Sequence, residues 1–423
     1  MADIGDPKWK YSRAFVTDED LELASTVHKY IDKKVMPRRQ DLDGGFHRDE
    51  KLARETFEEV AKGLNKIGVQ KAFLPKEYGG LGLESIVTYS TLVEELGRGD
   101  LGLGLHFVMI PWAFTPAILS NNKVVLERYA QMFCGDEVLS AAFQMTEPAG
   151  GANIEDPTQH GHKIQTRAEL KGNEWIINGQ KMWASNTGVS EFYTTVCTVD
   201  PGKGDDGICI ITIPKESEGL SFGKPEAKMG MVWTDYNGAM YFDNVRVPKD
   251  YCTGAPGGEG AKIFRYMVSN RSADGAMALG GAQACLEIVE DYTKDRYIVG
   301  RPVREHSLHA AIIGEMAMKI RAARSFYLNV AYMFDHPELY GESNSDRLIG
   351  ISTSSKTFST SVAIEVMHKA IELMGSAGYC ADYYVEKYLR DVIIIHLWMG
   401  GPHLAMLESA RVEYPMHSFW EKG

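Results

Sequence analysis

Met374-Gly375-Ser376-Ala377-Gly378-Tyr379, then Val385-Glu386-Lys387 and Arg390-Asp391, then Leu397-Trp398-Met399-Gly400-Gly401, is the stretch from which the organisation of the chain is read. A short glycine-rich turn sits between two apolar helical runs, and a Gly-Gly turn follows about twenty residues later. Glycines at such points let backbone N–H groups approach a flat or phosphorylated ligand with no side chain in the way. On its own such a turn more often simply ends a helix. Its meaning comes from what surrounds it.

Working outward, apolar residues recur at helical spacing over about 261–297, 308–334, 346–373 and 384–396, with a last run to about 412. Several long helices in a row predict an antiparallel bundle. Before them lies a Gly/Pro linker at 254–260, and before that the texture is strand-like. Runs at 164–170 and 175–178 flank the hairpin loop Lys171-Gly172-Asn173-Glu174, and further β-rich runs lie at 193–199, 207–214 and 239–248. Short strands at this spacing suggest a small sandwich or barrel. The first third is all-α: Thr17-Asp18-Glu19-Asp20 has the form of a capping box and opens a helix expected to end before Pro37. Further helices are expected over 50–67 and 84–97. The fold class is α+β, in three domains: 1–138 helical, 139–254 β, and 255–423 a helical bundle.

Bulk composition sets limits. The 423 residues, 44% hydrophobic and 24% charged, supply a large core. A net charge of -12 argues against nucleic acid as a partner. Six scattered cysteines without a CxxC pair read as thiols in a reducing cytoplasm. The opening residues lack the basic and apolar regions of a signal peptide. No apolar run is expected to approach the roughly 18 residues of a membrane span. The expected location is cytoplasmic, and no metal-ligand cluster stands out.

Short motifs add to this order of domains. They are Glu77-Tyr78-Gly79-Gly80-Leu81-Gly82, Glu94-Glu95-Leu96, Thr146-Glu147-Pro148, Asn178-Gly179-Gln180-Lys181-Met182-Trp183, Lys228-Met229-Gly230, Phe242-Asp243-Asn244-Val245-Arg246-Val247-Pro248, and the opening stretch. Together they resemble the acyl-CoA dehydrogenase family over essentially the whole chain. The resemblance implies FAD, an acyl-CoA thioester, an electron-transfer flavoprotein as acceptor, and a homotetramer built as a dimer of dimers. It assigns the flavin to Gln144, Met145 and Thr146 and to Trp183, Ala184 and Ser185. It assigns FAD phosphates and adenosine to Arg296 and to the Glu372, Leu373, Gly375, Ser376 and Gly378 turn, each reaching a neighbouring subunit. Ser307 stands where the family usually has Gln, and Val299 where it has Phe. Gly401 and His403 complete the cofactor set. The thioester falls to Val268, Asn270 and Arg271 and to Trp398, Met399 and Gly400. The stretch Ile154–Lys163 is longer than usual for the family.

The ordinary reaction of such enzymes removes a proton beside the thioester carbonyl while hydride leaves the next carbon. It needs a carboxylate of raised pKa held against that proton. The resemblance places this Glu before Gly400 or before Arg271, and this chain has Met399 and Asn270 there. Neither side chain takes a proton. Asp274, one helical turn beyond Arg271 in an otherwise apolar run, is the first replacement candidate and Asp100 the second; structural pairing is the competing role for each. His106 and His396 are weaker candidates. Leu105, Phe107, Met109 and Trp112, with Trp398 and Met399, are expected to line a bulky pocket. That pocket suits a cyclic or aryl-substituted acyl-CoA, with proton and hydride leaving carbons four apart. The alternatives are a desulfinase or flavin monooxygenase on the same fold, or a non-enzymatic binding protein.

Overall fold

The computed structural model describes residues 5–150 and 160–414. Most of the long 154–163 stretch therefore lies outside the described residues. Helix α1, Asp18–Tyr30, opens on the expected capping box: Thr17 Oγ1 accepts from the Asp20 amide at 3.2 Å, and Asp20 returns the bond to the Thr17 amide at 2.8 Å. The chain does not stop before Pro37. A π-helical turn, Ile31–Val35, and a 3-10 turn, Met36–Arg38, carry it into the short helix Arg39–Leu42. Pro37 lies in the first turn of the 3-10 segment, where a missing N–H costs little. Helix α2, Glu50–Ile67, ends at Gly68 in the left-handed region (φ 98°). Helices α3 (Ile86–Gly99), α4 (Leu101–Leu119) and α5 (Lys123–Phe133) follow.

Helix α4 corrects the expectation about apolar runs. It is long and apolar enough to cross a membrane by length and composition, with a mean hydropathy of 1.5. Gly102, Gly104, Pro111 and Pro116 interrupt the run to the eye. In the fold it is a core helix, with 78% of that window buried under neighbouring elements.

Eight strands form the middle of the chain: β1 Ala142–Gln144, β2 Arg167–Lys171, β3 Glu174–Met182, β4 Phe192–Thr198, β5 Ile208–Pro214, β6 Leu220–Phe222, β7 Ala239–Pro248 and β8 Cys252–Gly254. They hydrogen-bond in the order β6-β7-β3-β2-β4-β5-β8, and β1 lies parallel on β4. β2 and β3 pair through the expected Gly172-Asn173 hairpin. β2 and β4 meet at one pair, Arg167↔Thr198, so the sheet divides there into two halves. Trp175, Ile177 and Val245 of one half share an apolar cluster with Phe192, Cys197 and Ile211 of the other. Period-two burial along β7 turns its alternate residues into that cluster.

The C-terminal helices are α6 Glu259–Met267, α7 Ser272–Asp295, α8 Ser307–Asp335, α9 Asp346–Met374, α10 Val385–Leu397 and α11 Gly401–Glu413. The single helix expected over 261–297 is broken at residues 268–271. Helix α7 is the axis of the assembly. A Cβ on Gly280 would lie 2.1 Å from the Glu94 carbonyl oxygen, and one on Gly97 would lie 2.4 Å from that of Met277. Only glycine at both positions lets the α3 and α7 backbones touch. On its other side α7 packs against α9, where Gly275 meets Ser359.

Candidate active site

A cavity of about 530 Å³ opens where α4, α7 and α10 meet the ends of β1 and β3. Leu105, Val108, Met109 and Trp112 of α4 line one wall, at the i, i+3, i+4, i+7 spacing of a single helix face. Phe107, expected among them, sits on another face. It is buried in the cluster shared with the sheet, its ring centroid 5.1 Å from that of His106. His106 lies outside the cavity too, and burial pushes its pKa down to about 4.

The strand ends supply a second wall: Phe143 of β1 with Met145 and Thr146 after it, and Trp183, Ala184 and Ser185 after β3. The two segments are laced together. The Met182 amide donates to the Thr146 carbonyl at 3.0 Å, and the Lys181 ammonium donates to the Met145 carbonyl at 3.0 Å and to Glu147 at 2.7 Å. Trp183 holds a left-handed backbone (φ 67°), pinned by Asn237 donating to its carbonyl at 2.8 Å, and its side chain is 49% exposed. Gln144 stands behind this wall, fully buried, donating to Thr187 Oγ1 at 3.0 Å. An indole, apolar side chains and two hydroxyl-bearing residues here suit a flat heteroaromatic ring with polar edges. A flavin ring has that chemistry.

The third wall is the turn Trp398-Met399-Gly400 with Ile393, Ile394 and Leu397 of α10. Met399 adopts φ 56° and Gly400 φ 91°, so the turn is tight and the thioether is nearly buried. It is fixed from below by Lys356 of α9, whose ammonium donates to the carbonyls of Trp398 at 2.6 Å and His396 at 3.0 Å.

Asp274 lies on the cavity wall, one turn into α7, and it is the one carboxylate among the lining residues. Its Oδ2 is buried without a hydrogen-bond partner. Burial pushes its pKa up to about 6, against the opposing pull of Lys356 and Arg271. A buried carboxylate with nothing to accept from is costly, and cavities that do proton chemistry are where such groups collect.

The other expected residues lie elsewhere. Asp100 is not at the cavity. It caps α4 by accepting from the Leu103 amide at 2.9 Å and takes hydrogen bonds from Tyr384 (2.5 Å) and Lys387, which also pairs with Asp391 at 2.5 Å. The Lys387 charge beside it holds its pKa down despite full burial. This is a buried structural knot, about two turns further along α7, where Leu101 packs on Gly281. Val268, Asn270 and Arg271 form the break between α6 and α7 rather than a cavity wall. Asn270 Oδ1 accepts from the Ser272 amide at 3.0 Å, and Arg271 is buried in a two-pronged pair with Glu408 of α11 at 2.6 and 3.2 Å. His396 is occupied by Thr360 Oγ1 at 2.8 Å. Gly401 is buried at the start of α11 and His403 is exposed; neither lines the cavity.

The remaining expected cofactor residues gather at the opposite end of the bundle. Arg296 ends α7, roughly 33 Å of helix from Asp274. The Glu372–Gly378 turn ends α9, which runs beside α7, and the Tyr292 and Tyr383 rings meet there at 5.3 Å. Arg296, Ser307, Glu372, Gly375 and Ser376 are exposed, Leu373 is half-buried and Gly378 buried. None of them lines the cavity that holds Asp274.

Two residues near the site escaped the sequence reading, Lys356 and Glu408, and Lys228 entered it only as part of the Lys228-Met229-Gly230 motif, with no site role. Lys228 lines the cavity rim and is tied to Asp235 and Asn237. A signal existed for Lys356. Ser352, Ser355, Lys356 and Ser359 recur at helical spacing on the buried face of α9, a polar stripe where apolar residues are the rule.

Comparison with known proteins agrees with this geometry. The family models described as acyl-CoA dehydrogenase N-terminal, middle and C-terminal domains match residues 17–123, 142–245 and 258–411. A probable acyl-CoA dehydrogenase, fadE25, of Mycobacterium leprae is 30% identical over 93% of this chain and 95% of its own length. The cyclohex-1-ene-1-carbonyl-CoA dehydrogenase of Geobacter metallireducens is 28% identical over 94% of this chain and 98% of its own. The butyryl-CoA dehydrogenase structure from Megasphaera elsdenii superposes with a TM-score of 0.80 at 24% identity, covering 93% of this chain and 98% of that one.

Proposed function

This chain belongs to the acyl-CoA dehydrogenase family, and we propose that within it the protein oxidises a cyclic or aryl-substituted acyl-CoA with Asp274 as the proton acceptor. It is a flavin-dependent oxidoreductase acting on acyl-CoA C–H bonds, and its cofactor is FAD. When bound, FAD supplies the hydride acceptor; the residues fit to hold its ring are Met145, Thr146, Trp183 and Ser185.

The observation that carries the reading is the exchange of carboxylate positions. The turn that presents Trp398 presents a thioether after it, while the cavity's carboxylate sits on α7. A base with a pKa near 6 is ionised at neutral pH yet basic enough to take a proton from an acidified carbon. On α7 rather than in the Trp398 turn, it is assigned to a carbon further along the acyl group than the one beside the carbonyl. Unsaturation in the substrate relays acidity to such a carbon, so proton and hydride leave carbons four apart. Trp112, Phe143, Trp398, Met109 and Met399 give a soft, broad wall suited to a ring. The Geobacter relative's ring-bearing substrate is consistent with this.

Arg296 and the Glu372–Gly378 turn, exposed and a bundle length from the cavity, meet the cofactor only if a second subunit brings them to it. We infer that the active unit is an oligomer, a homotetramer on the family pattern, and that an electron-transfer flavoprotein takes the electrons. The test is anaerobic mixing of the holoenzyme with a thioester panel. Cyclohex-1-ene-1-carbonyl-CoA is expected to bleach the flavin and butyryl-CoA and octanoyl-CoA to leave it oxidised. Rapid bleaching by the straight-chain thioesters alone refutes the ring assignment; oxygen consumption or sulfite release transfers the reading to another chemistry on this fold.

A further inference from the structure

The charges buried around the cavity floor pair off in an instructive way. Arg271 is matched by Glu408, which holds it with two hydrogen bonds. Among the described residues no carboxylate forms an ion pair with Lys356. Its hydrogen bonds go to the neutral carbonyls of His396 and Trp398, and it is 1% exposed. Asp274, on the neighbouring helix, has a buried oxygen with no hydrogen-bond partner. The two helices touch at this level: a Cβ on Gly275 would lie 2.9 Å from Ser359 and 3.5 Å from the Lys356 Cα. A buried cation without an ion pair and a buried carboxylate oxygen without a hydrogen bond therefore lie on two helices in contact, each within electrostatic reach of the other.

We propose that Lys356 is the positioning residue of this site: its ammonium is the counter-charge that holds the Asp274 carboxylate ionised, and it also fixes the turn that carries Trp398 and Met399. The two roles meet in one group. By donating to the carbonyls on either side of Leu397, Lys356 sets where the Trp398 wall stands; by its charge it decides how readily Asp274 takes a proton. Burial alone drives Asp274 toward its neutral form, in which it takes no proton; the opposing charge keeps it available. The remaining groups facing Asp274 do not substitute for it. Arg271 is neutralised by Glu408, the Tyr89 phenol from α3 carries no charge at neutral pH, and His396 on α10 is bonded to Thr360.

The counter-charge role does not depend on what the substrate is; only its kinetic arm rests on Asp274 being the proton acceptor. The test uses FAD-loaded enzyme with Lys356→Met, Lys356→Gln and Lys356→Arg. The Asp274 carboxylic acid band is followed by infrared difference spectroscopy against pH, with Asp274→Asn identifying it. The expected result is a titration midpoint raised by about one unit in the Met and Gln variants and close to wild type in the Arg variant. Gln keeps donors for the two turn carbonyls and Met does not, so the pair separates charge from anchoring. At pH well above the shifted midpoint, Lys356→Gln should regain the wild-type rate of flavin reduction by cyclohex-1-ene-1-carbonyl-CoA, and Lys356→Met should stay several-fold slow. An unchanged midpoint in the charge-removing variants overturns the inference. A midpoint that moves while the acid limb of the reduction rate stays put upholds Lys356 as counter-charge and removes Asp274 as the proton acceptor.

Discussion

Replacing Asp274 by Asn should make the protein more stable and far less active, and both effects follow from one feature. The carboxyl is fully buried, and its pKa rises from 3.8 in the unfolded chain to about 6 in the fold. A folded-state pKa above the unfolded value means that ionisation opposes folding. The relative stability is intact below pH 4 and is lost as pH rises through 6. Two pKa units correspond to about 3 kcal/mol at pH 8, and roughly half of that at pH 5. Asn is nearly isosteric and never ionises, so the gain of Asp274→Asn over wild type should follow that curve. With a melting entropy of about 2 cal/mol/K per residue, 3 kcal/mol in a chain of this length is about 3 °C. Thermal melts of the FAD-loaded proteins at pH 5 and pH 8 read the difference. Stopped-flow reduction by cyclohex-1-ene-1-carbonyl-CoA should fall about 10²- to 10⁴-fold, the usual worth of a general base. A variant no more stable than wild type at pH 8 would show that Asp274 is compensated in the fold; a variant that still reduces flavin at the wild-type rate would show that the proton goes elsewhere.

Wild-type flavin reduction should rise with pH through an acid limb near 6, the pKa at which Asp274 becomes ionised, and a limb near 4 would point to an ordinary solvated carboxylate. Glu408→Gln should move that limb downward, because it leaves Arg271 uncompensated near Asp274, and should cost about 3 kcal/mol in urea unfolding as a broken buried pair. Asp100→Asn should lower stability by loosening the Lys387 knot while the rate of flavin reduction per bound flavin stays within about twofold, since it touches no cavity residue. Met399→Glu restores a carboxylate beside the Trp398 turn and should give the enzyme measurable turnover of butyryl-CoA; no gain would mean that the cavity does not seat a thin saturated chain.

Much of the fold was legible because its signals are local. The Thr17 capping box, the Gly172-Asn173 hairpin, the helix over Glu50–Ile67 and the strand over Ala239–Pro248 each depend on a few neighbouring residues, and each lies where the pattern put it. The misreadings have equally physical causes. Pro37 reads as a stop because proline breaks a continuing α-helix, but the chain changes helix type first and leaves no N–H to be missed. Helix α4 is hard to see as one apolar run because glycines and prolines interrupt its hydropathy, although most of it is buried in the fold. The break between α6 and α7 depends on Asn270 and on a charge pair whose other half, Glu408, is more than a hundred residues away. No local pattern carries that.

At the site the same division holds, and it bears on how such cavities come to be rebuilt. The absence of a carboxylate at 399 and 270 is visible in the sequence because it is a mismatch at a known place. The replacement proposed here shows in the sequence only as an anomaly: an aspartate among Gly275, Ala276, Met277 and Ala278, where a charge has no evident partner. The decisive partner is on another helix, and it too looks anomalous alone, as a lysine in the polar stripe of α9. A buried aspartate without a cation would stay protonated, and a buried lysine without an anion would shed its proton. Each group makes the other tolerable. An acid and a base that are separately unfavourable and jointly balanced, on helices that glycine and serine bring into contact, are what one expects where a cavity has gained a new proton acceptor rather than merely lost an old one.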